Sequence, residues 1–307
     1  MTVRIYKSTD ASAPVLSGQA GALIALLDAV LVNGYGALAA AGWAKAFSGT
    51  NLAAYRPPVG GNRLYLRIDD TGTTNGRGVG YESMTDVNTG VGGFPTEAQI
   101  AGGMYWPKSN TADATARPWI IAATDRMLIM HVSPTSVANA TNASICAFGD
   151  LKSYKSGDAY GTVHIAGILS TPTTSNVLHN LGITLVASNG HYVARSYTQT
   201  GTSLQIGKHT DAAKSMGTTT MGGANSTLVY PNPPDGGLYV APLWVHEISG
   251  PSVRGTIPGL WCPLHNKPLE HLDTFSGTGA LAGRTFLALK MYNGSEAFLE
   301  TSDTWDI

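Results

Sequence analysis

Two Asn-Gly dipeptides, each set between apolar runs, constrain this chain most. Asn189-Gly190 lies between residues 183–187 and 192–197, and Asn293-Gly294 lies between 285–292 and 297–300. Asn and Gly tolerate the positive φ angles of a type I′ turn, so each pair predicts a β-hairpin. The same reading extends along most of the chain. Leu64, Leu66 and Ile68 alternate with Arg63, Tyr65 and Arg67, the period of a strand with one buried face. Residues 119–122 and 127–131 flank Thr124-Asp125-Arg126 as a second kind of hairpin, and further strands are expected at 159–165, 238–248 and near 257–260. Gly-Thr segments at 70–80 and 214–226 read as long loops, which either hold a partner or hold nothing.

One helix interrupts this pattern, at about residues 18–33. Leu23, Leu26, Leu27 and Val30 recur at helical spacing, Ser17 is placed as an N-cap, and Gly34 stands where a C-terminal cap belongs. A single apolar stripe predicts that this helix lies on a sheet. The fold class expected is therefore mainly β, with β-sandwich- or barrel-like sheets and one N-terminal α-helix packed on them. A polar, Pro-containing stretch at 170–175 divides the chain into two β-rich halves, 1–170 and 171–307.

Charge bears on function. Only 13% of residues are charged, about half the usual ~25%, while hydrophobic content stays at 43%. That balance is the reverse of disorder. It suits a subunit covered by neighbours, which has less need of charge for solubility. The formal net charge of −1 and the lack of a basic run argue against nucleic acid as a partner. The longest apolar stretch, 22–32, is too short to span a bilayer and contains Asp28, so no membrane partner is expected. The polar opening, Met1-Thr2-Val3-Arg4, does not read as a signal peptide, and synthesis in a cytoplasm is expected. Both ends are expected to be tied down. Cys146 and Cys262 are compatible with free, packed thiols.

Few motifs suggest chemistry. Gly76-Arg77-Gly78-Val79-Gly80 has the glycines of a phosphate cradle but not the GxGxxG spacing, and reads as a glycine-rich loop. Cys262, His265, Glu270 and His271 form the one group of metal-ligand types. Without a second cysteine pair it reads as a Pro-rich loop with a packed thiol and surface histidines. Asp69-Asp70, Gly149-Asp150 and Gly157-Asp158 read as turns. No Gly-x-Ser-x-Gly elbow is present. No catalytic, cofactor or metal residue is assigned, and the chain is expected not to be an enzyme. Tyr105, Trp106, Trp119, Tyr239, Trp244, Trp261 and Trp305 lie in or beside strands. They read first as core, then as interface anchors, then as a sugar-stacking surface.

The N-terminal quarter carries a resemblance. Tyr6-Lys7-Ser8-Thr9-Asp10, Ala13-Pro14-Val15-Leu16-Ser17-Gly18, Leu27-Asp28-Ala29-Val30-Leu31-Val32-Asn33-Gly34-Tyr35-Gly36 and Ala41-Gly42-Trp43-Ala44-Lys45-Ala46-Phe47-Ser48-Gly49-Thr50-Asn51 together resemble a group of tailed-bacteriophage virion proteins. The likeness continues through Phe148-Gly149-Asp150-Leu151 and Ser156-Gly157-Asp158-Ala159-Tyr160, and more loosely at Glu300-Thr301-Ser302-Asp303-Thr304-Trp305. It implies a structural particle component, located in the virion, with no established catalytic residues. Its partners would be copies of itself and other virion proteins. The expectation is a tail or baseplate subunit. The alternatives are a head-decorating or neck protein, a receptor- or glycan-binding tail module, and a metal-dependent hydrolase built on Cys262, His265 and His271.

Overall fold

A computed structural model describes residues 1–135, 143–167, 191–199, 205–209, 237–247, 252–263, 269–290 and 296–306. The described residues are mainly β, with several antiparallel sheets and a single short α-helix near the start. It begins with β1 (Arg4–Lys7), then α1 (Ala22–Leu27), which widens into a π-helical turn over Asp28–Asn33.

The helix starts later than expected, and Ser17 does not cap it. Gly21 takes the cap position at φ 82° with no side-chain cap of its own. The orphan N–H groups of Leu23 and Ile24 donate instead to Asp70 Oδ2, at 2.7 and 3.1 Å. A carboxylate just past the end of a distant strand satisfies the donors that a neighbouring Ser would otherwise accept from. The predicted stripe holds: Leu23, Leu26, Leu27 and Val30 are all fully buried. Gly34 ends the helix with positive φ, as expected. The last carbonyls are taken by the following chain, with Ala41 N–H donating to Val30 and Trp43 N–H to Leu31, both at 2.9 Å.

Behind the helix lies a five-stranded antiparallel sheet. Its order is β2 (Ala44–Gly49), β3 (Leu52–Arg56), β4 (Tyr65–Asp69), β5 (Asn75–Tyr81) and β8 (Met104–Pro107), and the small hairpin of β6 (Ser83–Met84) and β7 (Gly90–Val91) interrupts the sequence. β5 corrects the reading of 70–80 as a loop. Its alternate glycines are demanded by packing. A Cβ on Gly76 would lie 2.7 Å from a Leu23 methyl, and one on Gly78 only 2.5 Å from Trp106 Nε1; one on Gly80 would overlap Phe94.

The remaining strands are β9 (Trp119–Ala123), β10 (Met127–Val132), β11 (Ser144–Asp150), β12 (Lys152–Ser153), β13 (Thr162–Ile165), β14 (His191–Val193), β15 (Gln205–His209), β16 (Val240–Glu247), β17 (Ser252–Pro263), β18 (Thr274–Ser276), β19 (Thr285–Lys290) and β20 (Glu296–Glu300). They join β1 in one sheet, ordered β1-β9-β10-β11-β13-β14-β15-β16-β17-β20-β19-β18, with β12 on β17. The hairpin expected around Thr124 is present as β9 and β10, with Thr124 Oγ1 accepting from the N–H groups of Arg126 and Met127. β19 and β20 pair as the Asn293-Gly294 signal predicts, although that turn, like Asn189-Gly190, lies outside the described residues. The boundary expected near 170 and the loop at 214–226 lie outside them too, while strands from both sides of residue 170 belong to the one sheet.

This long sheet folds over to make two layers. Strands β9, β10, β11 and β13 are buried along their whole length. Ile121, Leu128, Met130, Cys146 and Phe148 face α1 and the five-stranded sheet. Ile120, Ile129, Ile145, Val163 and Ile165 face Leu243, Val245, Ile257, Leu287, Leu289 and Leu299 of the later strands. Covering both faces explains why these four strands read as nearly continuous apolar runs and do not alternate. Each fully buried Leu, Ile or Met contributes about 1.5–3 kcal/mol. Thr2 bridges Thr304, and Trp305 N–H donates to Met1 O at 3.2 Å, so the two ends are tied to each other as expected. Among the described residues no helix is long and apolar enough to cross a membrane.

Candidate functional site

A dense grouping of charge lies where β12, β16, β17 and the segment after β14 converge. Arg254, fully buried on β17, donates from Nε and Nη2 to Asp158, both at 2.6 Å, and from Nη1 to Glu247 on β16. Asp158 also accepts from Ser153 Oγ at 2.5 Å and Gln199 Nε2 at 2.9 Å. Its carboxylate therefore has four donors, two on each oxygen. Glu247 accepts the Tyr197 N–H at 2.8 Å through its other oxygen. Burial pushes Asp158 up, but the Arg254, Ser153 and Gln199 hydrogen bonds outweigh it and hold the carboxyl below the ordinary value. Burial likewise opposes the charge on Arg254, and the two carboxylates overcome it. The network is a saturated latch.

The latch continues toward the five-stranded sheet. Arg254 Nη1 also donates to the Arg195 carbonyl at 3.2 Å, and the Arg195 guanidinium forms a two-pronged pair with Glu82, at 2.6 and 2.5 Å, while lying 3.9 Å over the Tyr160 ring. One chain of charge thus connects residues 82, 195, 247 and 254, which belong to all three layers. On its outer side Tyr154 and Tyr197 face solvent, 58% and 44% exposed. Trp244 Nε1 donates to Tyr154 Oη at 3.2 Å, and Lys155 Nζ lies 4.7 Å over the Tyr197 ring.

The residues singled out in the sequence are placed as follows. Asp158, expected in a turn, is the centre of the latch. Asp70, also expected in a turn, is fully buried: it pairs with the equally buried Lys108 and caps α1. Burial raises its pKa, opposed by Lys108 and the two helix amides. Asp150 is buried against Asn62 N–H and Thr162 Oγ1, both at 2.8 Å. Gly76 to Gly80 form a strand interior and offer no cradle. Trp106, Trp119 and Trp305 are core; Tyr239 is exposed, and Tyr105 and Trp261 are half-buried. Both cysteines are buried and neither is in a disulfide, and burial raises the Cys146 thiol.

Of the metal-ligand types, His265 lies outside the described residues, and Glu270 pairs with Lys290 at 3.2 Å. Sequence reading missed His131, whose ring lies 5.1 Å from that of His271. No local spacing links residues so far apart. His271 Nδ1 accepts the Lys290 N–H at 3.1 Å, so the neutral ring carries its proton on Nε2, the atom turned away from that bond. A metal would need a lone pair there, so this tautomer does not fit a ligand role. Among the described residues no three His, Cys, Asp or Glu side chains are grouped to hold a metal. The other buried histidine, His164, accepts from Trp106 Nε1 at 3.0 Å and lies 3.3 Å from the Phe94 carbonyl, and burial lowers its pKa to about 4. Compared with known proteins, the chain matches no family model and no curated protein.

Proposed function

We propose that this chain is a non-enzymatic structural subunit of a tailed-bacteriophage particle, in its tail or baseplate region. It would act through contacts with copies of itself and with other particle proteins. The phage assignment rests on the N-terminal resemblance, whose residues build β1, α1 and the start of the five-stranded sheet. The observation that carries the structural reading is the Arg254 latch. The densest charge grouping commits its carboxylate oxygens to joining layers, which suits a rigid building block. The low charge content supports a surface that neighbours cover; a standard contact of that kind buries roughly 1,200–2,000 Å².

Mass spectrometry of gradient-purified particles, with cross-linking to locate neighbours, tests this. The expected outcome is the chain at fixed stoichiometry, cross-linked to itself or to tail proteins. Absence from particles, together with a monodisperse chain that turns over a substrate, would overturn it. A glycan-binding module is the second reading, favoured by the exposed Tyr154 and Tyr197 beside Trp244. A glycan array discriminates, because a scaffold subunit has no sugar preference.

A further inference from the structure

The segment before β18 ends its ladder in an unusual way. Leu272 N–H donates to Ala288 O, and Ala288 N–H to Asp273 O, both at 2.8 Å. The next inward donor on β19, Lys290 N–H, meets a side chain in place of a carbonyl: His271 Nδ1 accepts it at 3.1 Å. An imidazole nitrogen accepts only while unprotonated. Protonation would set one N–H against another, and the ladder would lose its last rung.

The surroundings give an imidazolium little support. The facing ring is that of His131 on β10, and among the described residues neither buried Nε2 atom has a hydrogen-bond partner. The other titratable groups nearby are Lys290, whose Nζ pairs with Glu270; Asp273, which accepts the Glu270 N–H; and Cys262, which packs in the same apolar cluster as Leu272. Burial and the Lys290 charge both lower the His271 pKa, so the ring stays neutral to a pH below the ordinary histidine value. Burial, with His271 beside it, lowers His131 to about 3.

The strap that this bond holds has something to cover. Phe275 on β18 stacks on Phe286 with ring centroids 5.1 Å apart and meets Phe298 edge-on at 4.8 Å. Phe286 and Phe298 are fully buried. We propose that His271 is a proton-operated catch for the strap of residues 269–276: the neutral ring holds it on β19, and protonation releases it and uncovers the Phe286–Phe298 face. This goes beyond the structural reading and does not depend on where the chain resides.

Hydrogen exchange on the full chain, followed from pH 7.5 to 4.5 and corrected for intrinsic rates, tests the catch. In the wild type, protection over 271–276 and 285–290 should fall across this range at least tenfold more than that of β10 and β11, which report the global loss of stability in acid. His271→Asn keeps an acceptor near the Nδ1 position but cannot titrate, so between the two pH values its strap should lose no more protection than β10 and β11 do. That comparison remains readable even if the substitution loosens the strap at neutral pH. A wild-type-like excess loss in His271→Asn, or a wild-type strap that loses no more protection than β10 and β11, would each overturn the proposal.

Discussion

Lys108 is fully buried, and its ammonium donates to Asp70 and to the carbonyls of Gln19 and Gly72. Removing one member of such a pair strands the other. Asp70→Ala is expected to lose about 3–5 kcal/mol in urea denaturation, because it leaves an uncompensated buried charge and uncaps α1. Asp70→Ala with Lys108→Met should cost less than the two single changes added together. The histidines set the acid response. His131 and His164 have folded pKa values near 3 and 4, below the unfolded value of about 6.5. Below about pH 6.5 the unfolded chain therefore binds protons that the folded chain does not, and stability present at neutral pH is lost as pH falls. The slope reaches about 1.4 kcal/mol per pH unit for each ring. Asp70 and Asp150, raised by burial, act in the opposite direction nearer the carboxylate range. The urea midpoint should drop between pH 7 and pH 5, and His164→Gln should lower it at pH 7 while flattening its pH dependence.

β5 shows how much an element can depend on missing side chains. Gly78 lets Trp106 Nε1 reach His164 Nε2 at 3.0 Å directly beneath it. Gly78→Ala would drive a methyl into that bond, and a loss of about 1–3 kcal/mol in thermal or urea unfolding is expected. Gly157→Ala, whose Cβ would meet no atom within 4 Å, controls for small-to-large change, although its φ of 63° adds a strain of its own. The difference bears on what could be read from sequence. Apolar periodicity found β4 and the stripe of α1, because a single covered face leaves a repeating pattern, while apolar runs on either side of a turn signal found the β9–β10 and β19–β20 pairs. β5 was hidden, since its inward face is written in glycine and reads as loop. The cap from Asp70, 47 positions from Leu23, and the latch between Asp158 and Arg254, 96 apart, left no local pattern to find.

At the scale of the molecule, the latch joins the three layers that the apolar clusters fill. Arg254→Met should cost about 3–5 kcal/mol by leaving Asp158 and Glu247 buried without their cation. Hydrogen exchange should show the loss concentrated where β12, β16 and β17 meet. The middle layer has a further consequence. Strands β9, β10, β11 and β13 are wrapped by residues made before them and by residues made well after them, so while the ribosome is still extending the chain, one flank of Ile129, Ile145 and Val163 has no cover. Nascent chains stalled before residue 240 should be sticky, held by chaperones or lost as inclusion bodies, and solubility should return only once the last strands have emerged.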